Sequence, residues 1–382
     1  MYQHQYKQGL LASNYAMNDR LLPLNLRKKY AAVNSVQSLL VKQNFFNKQL
    51  VITIFWLIFV AFFNMALMKN AFAGTQLKLV ASIKPVQLLV NEITGVSELG
   101  LTPKAALLLQ NNQDHHLQSL EPSQHTIVTK ADYVFYISDE FEAYMQKAKR
   151  SERSSKSVFK YIELGKLNGI RLLSIRKSGE MSHTYHGSVK PTLKPNNPSA
   201  RHKHGDSGPD WHIWLNPDNA IVMLRKIRDV LFELDPSQGE LYQRNYNNAV
   251  FRITVQSERV AEKMMHVMKT PFMTVHDGYQ YFEEQYGLKS MGAIMRHHDK
   301  SPSVKRVAEA REMIENHNVR RVLKESRFST IALEPVIKGF DDTKVMDLDA
   351  VGKAADPQIK TYTDFIDQFA SVFYSSLMND SL

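Results

Sequence analysis

The chain has 382 residues, 43% of them hydrophobic, which suits one large or two medium globular domains with sizeable cores. Its formal charge of +10 suggests a nucleic-acid partner, but residues 1–73 hold eight Lys/Arg and a single acid. The remainder therefore carries 40 basic and 37 acidic residues, and no basic nucleic-acid surface is required. There is no cysteine, so an exported form relies on no disulfide and cannot be lipid-anchored through one. In chain order, Lys42 and Lys48 precede an uncharged run, Leu50 to Phe63, and Ala71-Phe72-Ala73 forms a small-x-small exit before Gly74. This order predicts a cleavable signal peptide and a periplasmic protein. The fourteen-residue run would span only about 21 Å as a helix, short of a bilayer core.

Leu77 to Ile83 reads as a strand and Pro85 to Ile93 as a helix with proline in its first turn. Ala105 to Leu109 is a second apolar run. Gln124 to Ala131 is a helix, and Tyr133 to Ile137 is a third strand. Short apolar strands alternating with helices imply parallel βα units. Residues 178–210, rich in Ser, Gly, Pro, Asn, His and Lys, read as a flexible loop. From Asp235-Pro236 a long helix is expected, reaching about Lys269. Tyr242, Tyr246, Ala249, Ile253, Val260, Met264 and Val267 form its apolar stripe. Strands at 271–275, 319–323 and 344–348 then alternate with helices at 305–317 and 363–377. The expected domains are an N-terminal extension and signal peptide (1–73), an α/β lobe (74–215), a helical linker (216–269) and a second α/β lobe (270–382).

The chain has fourteen histidines. His116 follows the second apolar run, His212 lies just before a helix, and His276 stands at the carboxyl end of a strand, where open α/β sheets bind ligands. Three imidazoles converging there would suit Zn²⁺, and Asp349, past another strand, could add oxygen. No two of these histidines share a short helical metal motif, so spacing alone reaches only an exported two-lobed α/β protein with candidate metal histidines.

Five ordered segments carry a resemblance. They are Ala81-Ser82-Ile83-Lys84-Pro85, His116 with Leu120-Glu121-Pro122-Ser123, His212-Ile213-Trp214-Leu215-Asn216-Pro217, His276-Asp277-Gly278-Tyr279 and Leu348-Asp349 with Gly352. Residues 77–380 thereby resemble the zinc-specific solute-binding proteins of bacterial ABC importers. The resemblance implies two (β/α) lobes joined by one long rigid linking helix, with a metal site in the cleft between them. It implies His116, His212 and His276 as zinc ligands, with Asp349, His115 or water in fourth place. It also implies Zn²⁺ as cargo, an ABC permease as partner, a monomer, no nucleic acid and no enzymatic activity. His183, His186, His202 and His204 match the His-containing loop of zinc-specific relatives, an auxiliary zinc-gathering segment; the pair His297-His298 reads as solvated surface. The chain departs from the family pattern at Glu325-Ser326-Arg327-Phe328, where relatives have Glu-Pro-Gln-Phe, and at Ala350, where they have proline. Manganese, iron or copper as the metal, a zinc hydrolase with Glu325 or Asp277 as base, and a metal-dependent surface adhesin are the alternatives.

Overall fold

The computed structural model describes residues 28, 31, 35, 53–60, 77–95, 104–109, 119–151, 160–176, 208–295, 302–352 and 359–378. The chain divides into two compact units, Met1–Thr75 and Gln76–Leu382. In the first, residues 53–60 are helical and Phe55, Trp56 and Leu57 are exposed. Among the described residues no helix is long and apolar enough to cross a membrane. The expected cleavage site at 71–73 lies outside the described residues.

The second unit contains two four-stranded parallel sheets. The first has the order β2-β1-β3-β4, built from β1 (Leu79–Ala81), β2 (Ala106–Leu107), β3 (Tyr133–Tyr136) and β4 (Tyr161–Glu163). A two-residue antiparallel pair follows, β5 (Leu173–Ser174) with β6 (Pro209–Asp210). The second parallel sheet has the order β10-β9-β7-β8, from β7 (Phe272–His276), β8 (Ser290–Met295), β9 (Arg321–Lys324) and β10 (Lys344–Asp347). Each sheet's first strand lies between its second and third, so the two share one topology. Each therefore has one point where the winding reverses, between β1 and β3 and between β7 and β9, the place where such sheets open a crevice.

The helices form where sequence periodicity and caps coincide. In α1 (Lys84–Thr94), Val86, Leu89, Val90 and Ile93 are buried at spacings of three and four, and Pro85 sits in the first turn. Helices α2 (Pro122–Thr129) and α3 (Ala143–Ser151) follow. Helix α4 (Pro217–Leu234) starts at Asn216, whose side chain accepts from Asn219 N at 2.9 Å, with Pro217 as its first residue. Helix α5 (Gly239–Met265) buries Tyr242, Ala249, Ile253, Val260 and Met264, as the stripe predicts, and is about 40 Å long. It packs against α4, α1 and the C-terminal helix. Its start differs from the expectation: Pro236–Gln238 form a 3-10 turn. The chain returns closely on α4 here: a Cβ on Gly239 would lie 2.5 Å from the Phe232 ring, which accounts for glycine at the start of α5.

Helices α6 (Gln280–Gln285), α7 (Val304–His317), α8 (Glu334–Ile337) and α9 (Tyr362–Leu377) complete the unit. Buried Glu92 of α1 ties three helices: it pairs with Arg252 of α5 and accepts Tyr362 N of α9 at 3.0 Å. Gly208 to Asp210, expected in the loop, instead pair with the chain ahead of it; residues 177–207 lie outside the described residues.

Candidate metal site

His276 is the last residue of β7, where the second sheet's winding reverses. His212 immediately precedes a 3-10 turn, Ile213–Leu215, that leads into α4. The fold brings these two imidazoles together, with ring centroids 5.0 Å apart and 4% exposure each. Gly278 lies against both. A Cβ there would be 2.8 Å from His276 Cε1 and 3.2 Å from His212 Nε2, so the two rings need a residue without a side chain between them and the main chain.

Each ring is oriented by a buried carboxylate. Asp210 Oδ1 lies 2.7 Å from His212 Nδ1 and also accepts the His212 backbone N–H at 3.0 Å. Glu325, the residue after β9, places Oε1 2.9 Å from His276 Nδ1, so this contact bridges β7 and β9 across the reversal point. A carboxylate on Nδ1 keeps the proton there and makes Nε2 the basic nitrogen, the arrangement that prepares histidine for a metal. Burial pushes the His276 ring below its ordinary pKa against the pull of Glu325, so the ring is neutral and competent as a donor at pH 7. Burial alone would raise Glu325, but the His276 contact and then Arg327 hold it well below the usual carboxylate range. The ring of Trp214 packs on His212 at 5.2 Å and that of Phe141 at 5.5 Å, giving a dry wall.

Further contacts fix the surroundings. Arg176, two residues past β5, grips Asp277 with Nε at 3.0 Å from both carboxylate oxygens, and its Nη1 reaches Glu283 Oε2 at 2.6 Å. Burial would raise Asp277; Arg176 outweighs it and holds that carboxyl below its ordinary value. Tyr281 OH donates to Asp210 O at 2.6 Å and accepts Leu173 N at 3.0 Å, so α6 is bonded to both strands of the β5–β6 pair. Asp349 sits in a loop held by Trp214 Nε1 on Ala350 O (2.7 Å) and Tyr279 OH on Leu348 O (2.9 Å). Its Oδ1 accepts Val351 N and Gly352 N at 2.9 and 3.0 Å, which shapes the turn. Gly352 has φ +69°, and a Cβ there would lie 3.1 Å from the Phe365 ring, which accounts for glycine in that motif.

Of the sequence candidates, His212 and His276 meet and Asp349 lies on a loop anchored beside them. His115, His116, His183, His186, His202, His204, His297 and His298 lie outside the described residues. Among the described residues no three His, Asp or Glu side chains form a complete metal cluster. Asp210 and Arg176 were not singled out by sequence, and Gly278 entered only within the His276-Asp277-Gly278-Tyr279 segment; for Asp210 the spacing Asp210-Trp211-His212 was the available signal. Glu325 and Asp277, considered as hydrolytic bases, are bonded instead to His276 and Arg176.

The family model described as "Zinc-uptake complex component A periplasmic" matches residues 79–375, a span that includes both imidazoles and both carboxylates. The chain belongs to this family. Within the zinc-uptake family, the high-affinity zinc uptake system protein ZnuA of Brucella abortus (strain 2308) is 26% identical over 285 residues, covering 71% of this chain and 83% of its own. The Yersinia pestis protein of the same name is 24% identical over 318 residues, covering 81% and 94%. Among solved structures, a crystal structure of ZnuA has a TM-score of 0.60 at 18% identity, over 79% of this chain and 99% of that one. A mutant of the laminin-binding adhesin of Streptococcus agalactiae has the same TM-score at 21% identity, over 79% and 100%. These two likenesses establish the fold that zinc-uptake family members share with such an adhesin.

Proposed function

We propose that this chain captures Zn²⁺ in the periplasm and delivers it to the permease of an ABC zinc importer. The observation that carries this reading is the pair of buried imidazoles, 5.0 Å apart, each with Nδ1 on its own carboxylate. Nε2 of His212 and of His276 would bind the ion, with His116 as third ligand and Asp349, His115 or water as the fourth; Zn–N bonds of about 2.0–2.1 Å suit such a set. A nitrogen-rich sphere favours zinc over oxygen-preferring manganese. The two sheets serve as the two lobes, with α5 as the linking helix. Residues 1–73 serve as the export leader.

Chelator-competition calorimetry on the purified chain tests this reading. One tight zinc site is expected, weakened at least about 100-fold in His116→Ala, His212→Ala and His276→Ala, with manganese bound far more weakly. The form recovered from the periplasm should begin at Gly74. Tight zinc binding that persists when His212 and His276 are both replaced would move the site elsewhere.

A further inference from the structure

Asp210 and Glu325 perform the same task for the two histidines under different loads. Among the described residues no Lys or Arg forms an ion pair with Asp210, which spends Oδ1 on His212 alone. Glu325 is shared. Its Oε1 meets His276 Nδ1 at 2.9 Å and its Oε2 meets Arg327 Nε at 2.7 Å. The Arg327 side chain is 19% exposed and that of Glu325 5%, so water screens this ion pair poorly. The guanidinium also lies over the Phe328 ring at 4.7 Å, and that ring is 6.4 Å from the His276 ring, which keeps the cation beside the site.

Two effects on a bound dication follow. A carboxylate divided between an imidazole and a guanidinium gives up less charge to the imidazole, so His276 is a weaker donor than an unshared carboxylate would make it. A permanent positive charge next to that carboxylate also opposes an arriving cation.

We propose that Arg327 is a positioning residue that competes with His276 for Glu325 and thereby lowers the affinity for Zn²⁺ and speeds its release. This rests on the zinc-capture reading. A protein that hands its cargo onward gains from such a brake, since tighter capture slows delivery.

The test measures zinc affinity by chelator competition and zinc dissociation by stopped flow on the purified full chain, its Arg327→Gln and Arg327→Lys variants and His276→Ala. Arg327→Gln is expected to bind zinc about tenfold tighter, with most of the gain in slower dissociation. Arg327→Lys keeps the charge and should stay within about threefold of the native chain. In a Glu325→Gln background the gain from Arg327→Gln should shrink, because the route runs through that carboxylate. A purely structural role predicts weaker binding on removal, so a Gln variant that binds equally or more weakly overturns the proposal, as does a Lys variant as tight as the Gln variant. If zinc binding by the native chain does not depend on His276, the capture reading itself falls.

Discussion

Two buried glutamates stand past corresponding strands in sheets of the same topology, and their carboxyls are shifted in opposite directions. Glu142 follows β3 and Glu325 follows β9, each beyond the strand across the reversal point from its sheet's first strand. Both are nearly inaccessible, 0% and 4% exposed. Glu142 turns back on its own chain, accepting Ile137 N at 2.7 Å, Ser138 N at 3.2 Å and Tyr144 OH at 3.2 Å; burial pushes its carboxyl up to about 7. Glu325 meets an imidazole and a guanidinium and is held well below the usual range. Burial raises both carboxylates; the hydrogen bonds on Glu142 offset it only in part, whereas the imidazole and guanidinium on Glu325 outweigh it. One glutamate closes a turn; the other orients the His276 ring.

The largest expected effect that tests this contrast is Glu142→Ala. It strands two backbone N–H groups and a tyrosine hydroxyl, and should cost about 3–5 kcal/mol of unfolding free energy in urea while leaving zinc affinity unchanged. A clear loss of zinc affinity would show that the two glutamates are not separable.

The pH dependence comes next. The folded-state pKa of Glu142, about 7, is above the ordinary 4.5, so the folded state binds the extra proton in that window. Its stabilisation is complete below pH 4.5 and is lost as pH rises through about 7. Relative to Glu142→Gln, the metal-free native chain should lose on the order of 3 kcal/mol between pH 4.5 and 8. Parallel stability profiles for the two proteins would show that Glu142 is already ionised at low pH.

Smallest in energy is Glu325→Gln, which should weaken zinc about 10- to 100-fold with little change in fold, since the amide cannot polarise His276 as a carboxylate does. An unchanged zinc affinity would mean that Glu325 merely packs.

Much of this architecture was legible because the apolar runs of β1, β2, β3, β7, β9 and β10 are short and well punctuated. His276 was readable as a strand end because Phe272 to Val275 is bounded by Pro271 and by Asp277-Gly278. Among the missed strands, β4 and β8 are both edges of their sheets. β4 is only half-buried and ends in Glu163; β8 contains Gly292 at φ +101° and pairs with a shift in register against β7. The histidines could be nominated from sequence, but their supports could not. Asp210 follows a polar segment with no periodicity, and Glu325 lies 49 residues from the ring it orients. That contact exists only because β9 crosses to the far side of β7.

The β5–β6 pair has an engineering consequence. The chain departs at Ile175 and comes back at Gly208, with Ile175 N on Gly208 O at 2.9 Å, so exit and re-entry are one hydrogen bond apart. Doubling the length of chain between two such fixed points costs only about 0.6 kcal/mol in closure entropy. Closure entropy alone therefore places little penalty on splicing peptides of different size between residues 176 and 208. Two residues further on, that tolerance ends: a single insertion between Asp210 and His212 would pull the carboxylate off its ring.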